Sequence, residues 1–193
     1  MASSRGDTRA RILRTAADLF QRQGYGATGL NQVLAASGAP KGSLYFHFPQ
    51  GKEQLAAEAM ALAGAETGER MAAALAAATG PADAVAALGA LLAQGLEESD
   101  YRDGCPVATV ALEEAGDAGP IHDACHDTYQ LWLSGLAERL HSWGTPEPES
   151  RELADLAMSS LQGALLLARV RRDSTVIHTV ARRIGALAAQ GVN

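Results

Sequence analysis

The sequence predicts an all-α protein, with a small three-helix head at the N-terminal end and a larger helical body behind it, and three observations predict this. Apolar residues recur three and four positions apart through most of the chain, the spacing that gathers side chains on one helical face. No stretch alternates apolar with polar residues as a half-buried strand would. Gly and Pro fall between the apolar stripes at regular intervals, where they end one helix and start the next. A chain of 193 residues, 47% of them apolar, is long enough to bury a sizeable core.

From Asp7 to Gln23 the residues Ile12, Leu13, Ala16, Leu19 and Phe20 form a stripe, while Arg9, Arg11, Arg14 and Arg22 take much of the remaining surface. Asp7 or Thr8 is placed to cap the start and Gly24 to end it. Leu30, Val33 and Leu34 then mark a short helix with Asn31 and Gln32 facing outward. It breaks at Gly38-Ala39-Pro40: Gly38 can take positive φ without steric cost, and Pro40 suits the first position of a helix. The next short helix ends in an aromatic cluster, Tyr45, Phe46 and Phe48. Two short helices on either side of a tight corner are the shape of a helix-turn-helix, here over about 29–48.

Lys52 opens a long Ala-rich helix in which Leu55, Ala59, Leu62, Met71 and Leu75 can face inward, and Gly80-Pro81 stops it. Pro81 begins another that runs to about Glu98 on a stripe of Val85, Leu88, Leu92 and Leu96. Further helices are expected from Pro106 to Ala115 and from Pro120 to Trp143. From about Glu149 to Arg172 the stripe is Leu153, Leu156, Ala157, Ser160, Leu161, Ala164, Leu167 and Ala168. From Ser174 to Ala189 it is Ile177, Val180, Ala181, Ile184, Leu187 and Ala188. Stripes this wide can cover a core and still leave an edge for a partner helix pair, so a homodimer through the last two helices is expected.

The net charge of −6 is unevenly spread. Through Lys52 there are seven basic residues against two acidic ones, +5, which leaves −11 for the remainder. A basic head on an acidic body suits a protein of which only one part meets phosphates. The longest apolar runs, Met71 to Ala78 and Gly163 to Ala168, fall short of the ~18 residues that span a bilayer, so a cytoplasmic protein without a membrane partner is expected. Cys105 and Cys125 are too few for a disulfide framework and read as free thiols.

The run from Ser37 to Phe48, SGAPKGSLYFHF, with Lys52-Glu53-Gln54-Leu55 after it and Phe20, Gly24, Tyr25 and Thr28 before it, closely resembles the DNA-binding domain of TetR-type transcriptional repressors. Pro40 stands where a capping Ser or Thr is usual and Phe46 where a second His or Tyr often sits. The Pro49-Gln50-Gly51 connection is one residue longer than in most members. The resemblance implies a helix-turn-helix DNA-binding domain over 5–55 and a helical ligand-binding and dimerisation domain over 56–193. A helix fits the major groove of B-DNA and its first turn reaches base edges, so Ala39, Pro40, Lys41, Gly42 and Ser43 are the candidates for readout, Lys41 foremost. Thr28, Tyr45, His47 and Lys52 match family positions that contact phosphates. Phe48 reads as an aromatic pin of the small core, and Tyr45 suits either part.

The resemblance further implies a homodimeric repressor that needs no cofactor and is released from a palindromic DNA operator by a small apolar effector. The helix starting near Lys52 would be the mechanical link. The segment Gly104 to Glu113, GCPVATVALE, also resembles a stretch in TetR-type repressors that answer to flavonoids or lincosamide drugs. Tyr129, Trp132, Leu133 and Leu136 share one helical face and are core by default. Tyr129 and Trp132 could also line an apolar pocket, with Tyr101 and Cys105 as further ligand-binding candidates.

His122 and His126 are four apart, a spacing that lets two imidazoles share a zinc ion, with Cys105 as a conceivable third ligand. A metal- or redox-sensing regulator using Cys105, Cys125, His122 and His126 is therefore the alternative reading, and a helical-bundle metalloenzyme a more distant one. No Glu follows His122 in the metalloprotease pattern, and no nucleophile-base pair or phosphate-binding glycine loop stands out, so neither a metal site nor an enzyme is the expectation.

Overall fold

The computed structural model describes residues 5–114 and 118–191, and among them every regular element is a helix. In chain order these are α1 (Arg5–Gln23), α2 (Leu30–Ser37), α3 (Ser43–His47), α4 (Lys52–Ala77), α5 (Pro81–Glu98), α6 (Ala108–Glu114), α7 (Pro120–Ser142), α8 (Glu147–Arg171) and α9 (Thr175–Ala188). A 3-10 turn over Ala189–Gly191 follows.

Several boundaries move from where the sequence puts them, each for a local reason. α1 begins ahead of Asp7, which therefore sits in the first turn, where its charge meets the positive end of the helix dipole. Pro40 does not open α3. Its carbonyl accepts both the Ser43 amide at 2.9 Å and the Ser43 hydroxyl at 2.6 Å, which closes a turn through Lys41-Gly42 before the helix starts. α6 starts at Ala108, past Pro106, and its expected end at Ala115 lies outside the described residues. α4 ends at Ala77, ahead of Gly80-Pro81. There Arg139 Nε donates to the Leu75 carbonyl at 3.0 Å and Nη2 to that of Ala78 at 3.1 Å, filling acceptors that a helix end leaves open.

By its contacts the chain divides into two compact units. The first holds the chain through Glu66 together with Cys105–Thr128, and the second holds Thr67–Gly104 and the chain from Tyr129. The head and α6 thus share a unit.

In the first unit α1 packs on α2 and α3, and Ile12, Ala16, Phe20, Val33, Leu44, Phe48 and Leu55 are fully buried. Gly24 at φ 85° ends α1, and Gly38 at φ 63° caps α2 with its amide on the Ala35 carbonyl. Arg9 pairs with Glu58 and lies 5.0 Å over the Phe48 ring, and Arg14 reaches Glu66 at 3.9 Å.

In the second unit α9 lies along α5, with α8 beside both. The approach is close because small residues permit it: a Cβ on Gly89 would come 2.6 Å from that of Ala181, and one on Gly185 would come 2.9 Å from the Ala82 carbonyl oxygen. By length and hydropathy α8 could cross a membrane, but Leu153, Ala157, Leu161, Ala164 and Ala168 pack it into this bundle. Leu156, Leu166, Leu167 and Val170 of α8 and Leu187 of α9 stay exposed beside the buried stripe.

Candidate nucleic-acid interface

The corner between α2 and α3 presents an open face over a closed core. With about 100° between successive residues, Gly42, Ser43, Tyr45 and Phe46 lie on the side of α3 away from the buried Leu44. Tyr45 is 64% exposed and Phe46 61%. The Phe46 ring meets His47 edge-on, centroids 5.0 Å apart, and His47 leans on Phe48 at 6.4 Å. Lys41 stands exposed in the turn beside them, with Pro40 exposed and Ala39 half-buried. Of the two aromatics that suited the core, Phe48 is fully buried and Tyr45 is not.

Two of the expected phosphate contacts have partners inside the protein. Thr28 is 1% exposed, and its hydroxyl donates to the Gly24 carbonyl at 2.7 Å while accepting from Gln23 Nε2 at 3.0 Å. Lys52 Nζ lies 4.1 Å from the centroid of the Tyr25 ring. Burial, then the charges of Glu114 and Glu53, raise the Tyr25 hydroxyl above its usual range, so this phenol stays neutral under the cation. Arg9 and Arg14 turn toward α4 carboxylates, while Lys41 stands exposed in the turn before α3.

Of the four candidates for ligand contact, Cys105 belongs to the first unit and Tyr101, Tyr129 and Trp132 to the second. Tyr129 and Trp132 meet edge-on with centroids 5.4 Å apart, and the buried Trp132 sits where a Cβ on Gly68 would come 3.1 Å from its Nε1. Tyr101 is engaged elsewhere: its residue has φ 60°, and the Arg172 guanidinium lies 5.3 Å over its ring while bonding Asp100 at 2.5 Å. Cys105 is buried in the first unit, as is Cys125. Burial, with smaller effects of Cys105 and Glu114, pushes the Cys125 thiol up to about 11, away from the thiolate that metal binding or oxidation needs.

His122 and His126 stack on α7 with centroids 6.2 Å apart, and His122 Nδ1 lies 3.2 Å from Asp123. Among the described residues no three metal-ligating side chains converge, so the imidazole-thiol set is not assembled. A groove of about 450 Å³ runs between α7 and α8, lined by Gln130, Ser134, Glu138, His141, Glu147 and Arg151 among others. Leu133, Ala137 and Ala154 line it as well, so its wall is mixed rather than apolar throughout.

Sequence reasoning passed over two residues that the structure brings forward. Phe46 lies on the open side of α3, as its helical position opposite Leu44 already implied. Glu113 accepts a bond from the Gly26 amide at 2.6 Å across 87 positions of chain, and no local signal pointed to it.

A short helix pair whose second member is open to solvent, carried by a helical bundle, is the arrangement of a helix-turn-helix transcriptional regulator. Residues 12–59 match the family described as bacterial regulatory proteins, tetR family, and residues 81–183 match the C-terminal domain of LmrA/YxaF-like transcriptional regulators. The chain is 39% identical over 172 residues to the HTH-type transcriptional regulator LmrA of Bacillus subtilis, covering 89% of this chain and 92% of that one. It is 36% identical over 185 residues to the HTH-type transcriptional regulator YxaF of the same organism, covering 96% and 97%. A solved TetR transcriptional regulator from Chloroflexus aurantiacus matches with a TM-score of 0.81 at 26% identity over 96% of both chains. The chain belongs to the TetR family of DNA-binding transcriptional regulators and is not an enzyme.

Proposed function

We propose that this regulator is a cytoplasmic repressor that binds a palindromic operator as a homodimer and is released by a small apolar effector. The observation that carries the reading is the face of Lys41, Gly42, Ser43, Tyr45 and Phe46. Two aromatic rings mostly open to water, beside a cation, on a head whose core is already closed, are surface waiting for a partner. Pro40, Lys41, Gly42 and Ser43 then meet base edges, with Ala39 behind them. Tyr45 and His47 meet the phosphate backbone. Phe46 adds an apolar contact suited to thymine methyl groups. Thr28 and Lys52 serve chiefly by fixing the turn and Tyr25.

The exposed leucines of α8 and α9, with Val170, supply the surface for a partner's same two helices. Such a pairing would hold two recognition elements about 34 Å apart, in successive major grooves. Tyr129 and Trp132 are the aromatic pair best placed to meet an effector, and the resemblance of Gly104 to Glu113 makes a flavonoid or a lincosamide the first to try. Release requires the effector to prefer the non-binding state: moving a population from 1:99 to 99:1 takes about 5.5 kcal/mol of preference.

The test is a pair of variants on one duplex selected from a random DNA pool. Lys41→Ala should weaken binding, whereas Tyr129→Ala should leave it intact and alter only release. Equal losses from both would put the DNA face elsewhere.

A further inference from the structure

The turn that joins α1 to α2 is held from outside by α6. Gly24 closes α1 with its amide on the Phe20 carbonyl at 2.9 Å, and the Thr28 hydroxyl ties the other end of the turn back to the Gly24 carbonyl. Between them the Gly26 amide has no acceptor within the head and donates to Glu113 Oε2 of α6 at 2.6 Å. One turn earlier on α6, the Thr109 hydroxyl donates to the Gln21 carbonyl at 3.3 Å, near the end of α1. The fit is tight from the head side as well. A Cβ on Gly24 would overlap Glu113 Oε1, and one on Gly26 would come 3.3 Å from Oε2.

The carboxylate is out of place on electrostatic grounds alone. It stands beside a head that has to approach a polyanion, where a negative charge lowers affinity. We infer that Glu113 is a positioning residue for DNA binding: it holds the Gly24–Thr28 turn, and so the setting of α2 and α3 on α1, in the form that fits the groove. The inference rests on the proposal that α2 and α3 carry the DNA face. It adds that operator affinity follows the position of α6, because the bond that sets the turn comes from that helix.

Charge and position predict opposite signs. If Glu113 acts only as a charge, Glu113→Gln and Glu113→Ala both tighten operator binding. If it positions the turn, Glu113→Gln keeps an acceptor for Gly26 and stays near wild type, while Glu113→Ala weakens binding by roughly fivefold, the worth of one ordinary hydrogen bond. The slope of affinity against salt should not change, since no phosphate contact is removed.

Hydrogen exchange should show the Gly26 amide protected in the wild type and in Glu113→Gln and open in Glu113→Ala, with the amides around Val33 and Leu44 unaltered. Gly26→Ala crowds the same carboxylate from the head side and should give a loss of similar size, which keeps the test available if Glu113→Ala folds poorly. Alanine variants that bind as well as wild type or better would overturn the inference. Lys41→Ala run alongside separates the two readings: if it weakens binding and Glu113→Ala does not, only the positioning role falls. If neither matters, the DNA face itself is misassigned.

Discussion

Phe46 and Lys41 stand two and three residues from the buried Leu44, yet they face solvent where it faces the core. The inward residues set the angle of α3, and the outward ones are those proposed to meet DNA. Burying one methyl group is worth about 0.8 kcal/mol, so replacing thymine by uracil at a base under Phe46 should weaken wild-type binding by about fourfold and leave Phe46→Ala unmoved. A titration with the two duplexes checks this, and indifference of the wild type would remove Phe46 from the reading face. Cys125 gives a second outcome at this scale. Its thiol is raised to about 11, so the folded protein should resist alkylation at pH 7 to 8 at this position, and mass spectrometry of the labelled protein reads it directly. A raised folded-state value also means that the native state holds this proton more tightly than the unfolded chain. Its contribution to stability is therefore complete below the unfolded value and is lost as pH climbs from about 9 toward 11. The positive-φ turn at Gly38 and the buried Phe48 were legible in the sequence, because short-range spacing and turn chemistry decide them. The contacts of Thr28, Lys52 and Glu113 were not, since each depends on what tertiary packing brings beside it.

At the scale of elements, the apolar stripes and the Gly and Pro stops carried most of the helical layout. What they could not carry was how closely helices approach. α5 and α9 touch through Gly89 and Gly185, so Gly185→Ala forces a methyl against the Ala82 backbone and should cost about 1–3 kcal/mol in denaturant unfolding. An unchanged midpoint would mean that the pair has room to part. Arg139 is a second device invisible to periodicity. One guanidinium bonds the Leu75 and Ala78 carbonyls and lies 4.1 Å over Trp143, so Arg139→Ala should destabilise the chain by about 2 kcal/mol, more than loss of an exposed charge would. The end of α3 nearest the turn also escaped the sequence pattern. Pro40 looked like a helix start, but its carbonyl is spent on Ser43, which leaves Lys41 and Gly42 in a turn.

Over the whole molecule, the charge asymmetry and the two wide C-terminal stripes are the features on which the functional reading depends. Beside its buried stripe α8 carries the exposed Leu156, Leu166, Leu167 and Val170, the surface that the proposed dimer would use. Val170, 75% exposed, can therefore be replaced by Glu without disturbing the subunit's own core. Val170→Glu together with Leu166→Glu should yield a folded monomer by sedimentation and lower operator affinity, because a single head loses its linked half-site. The direct trial of the central claim is selection of bound duplexes from a random DNA pool by the wild type and by Lys41→Ala. The wild type should enrich an inverted repeat with half-site centres about one helical turn, or a multiple of it, apart, and Lys41→Ala should lose that enrichment. Enrichment of the same sequence by both proteins, or of none by the wild type, would contradict it.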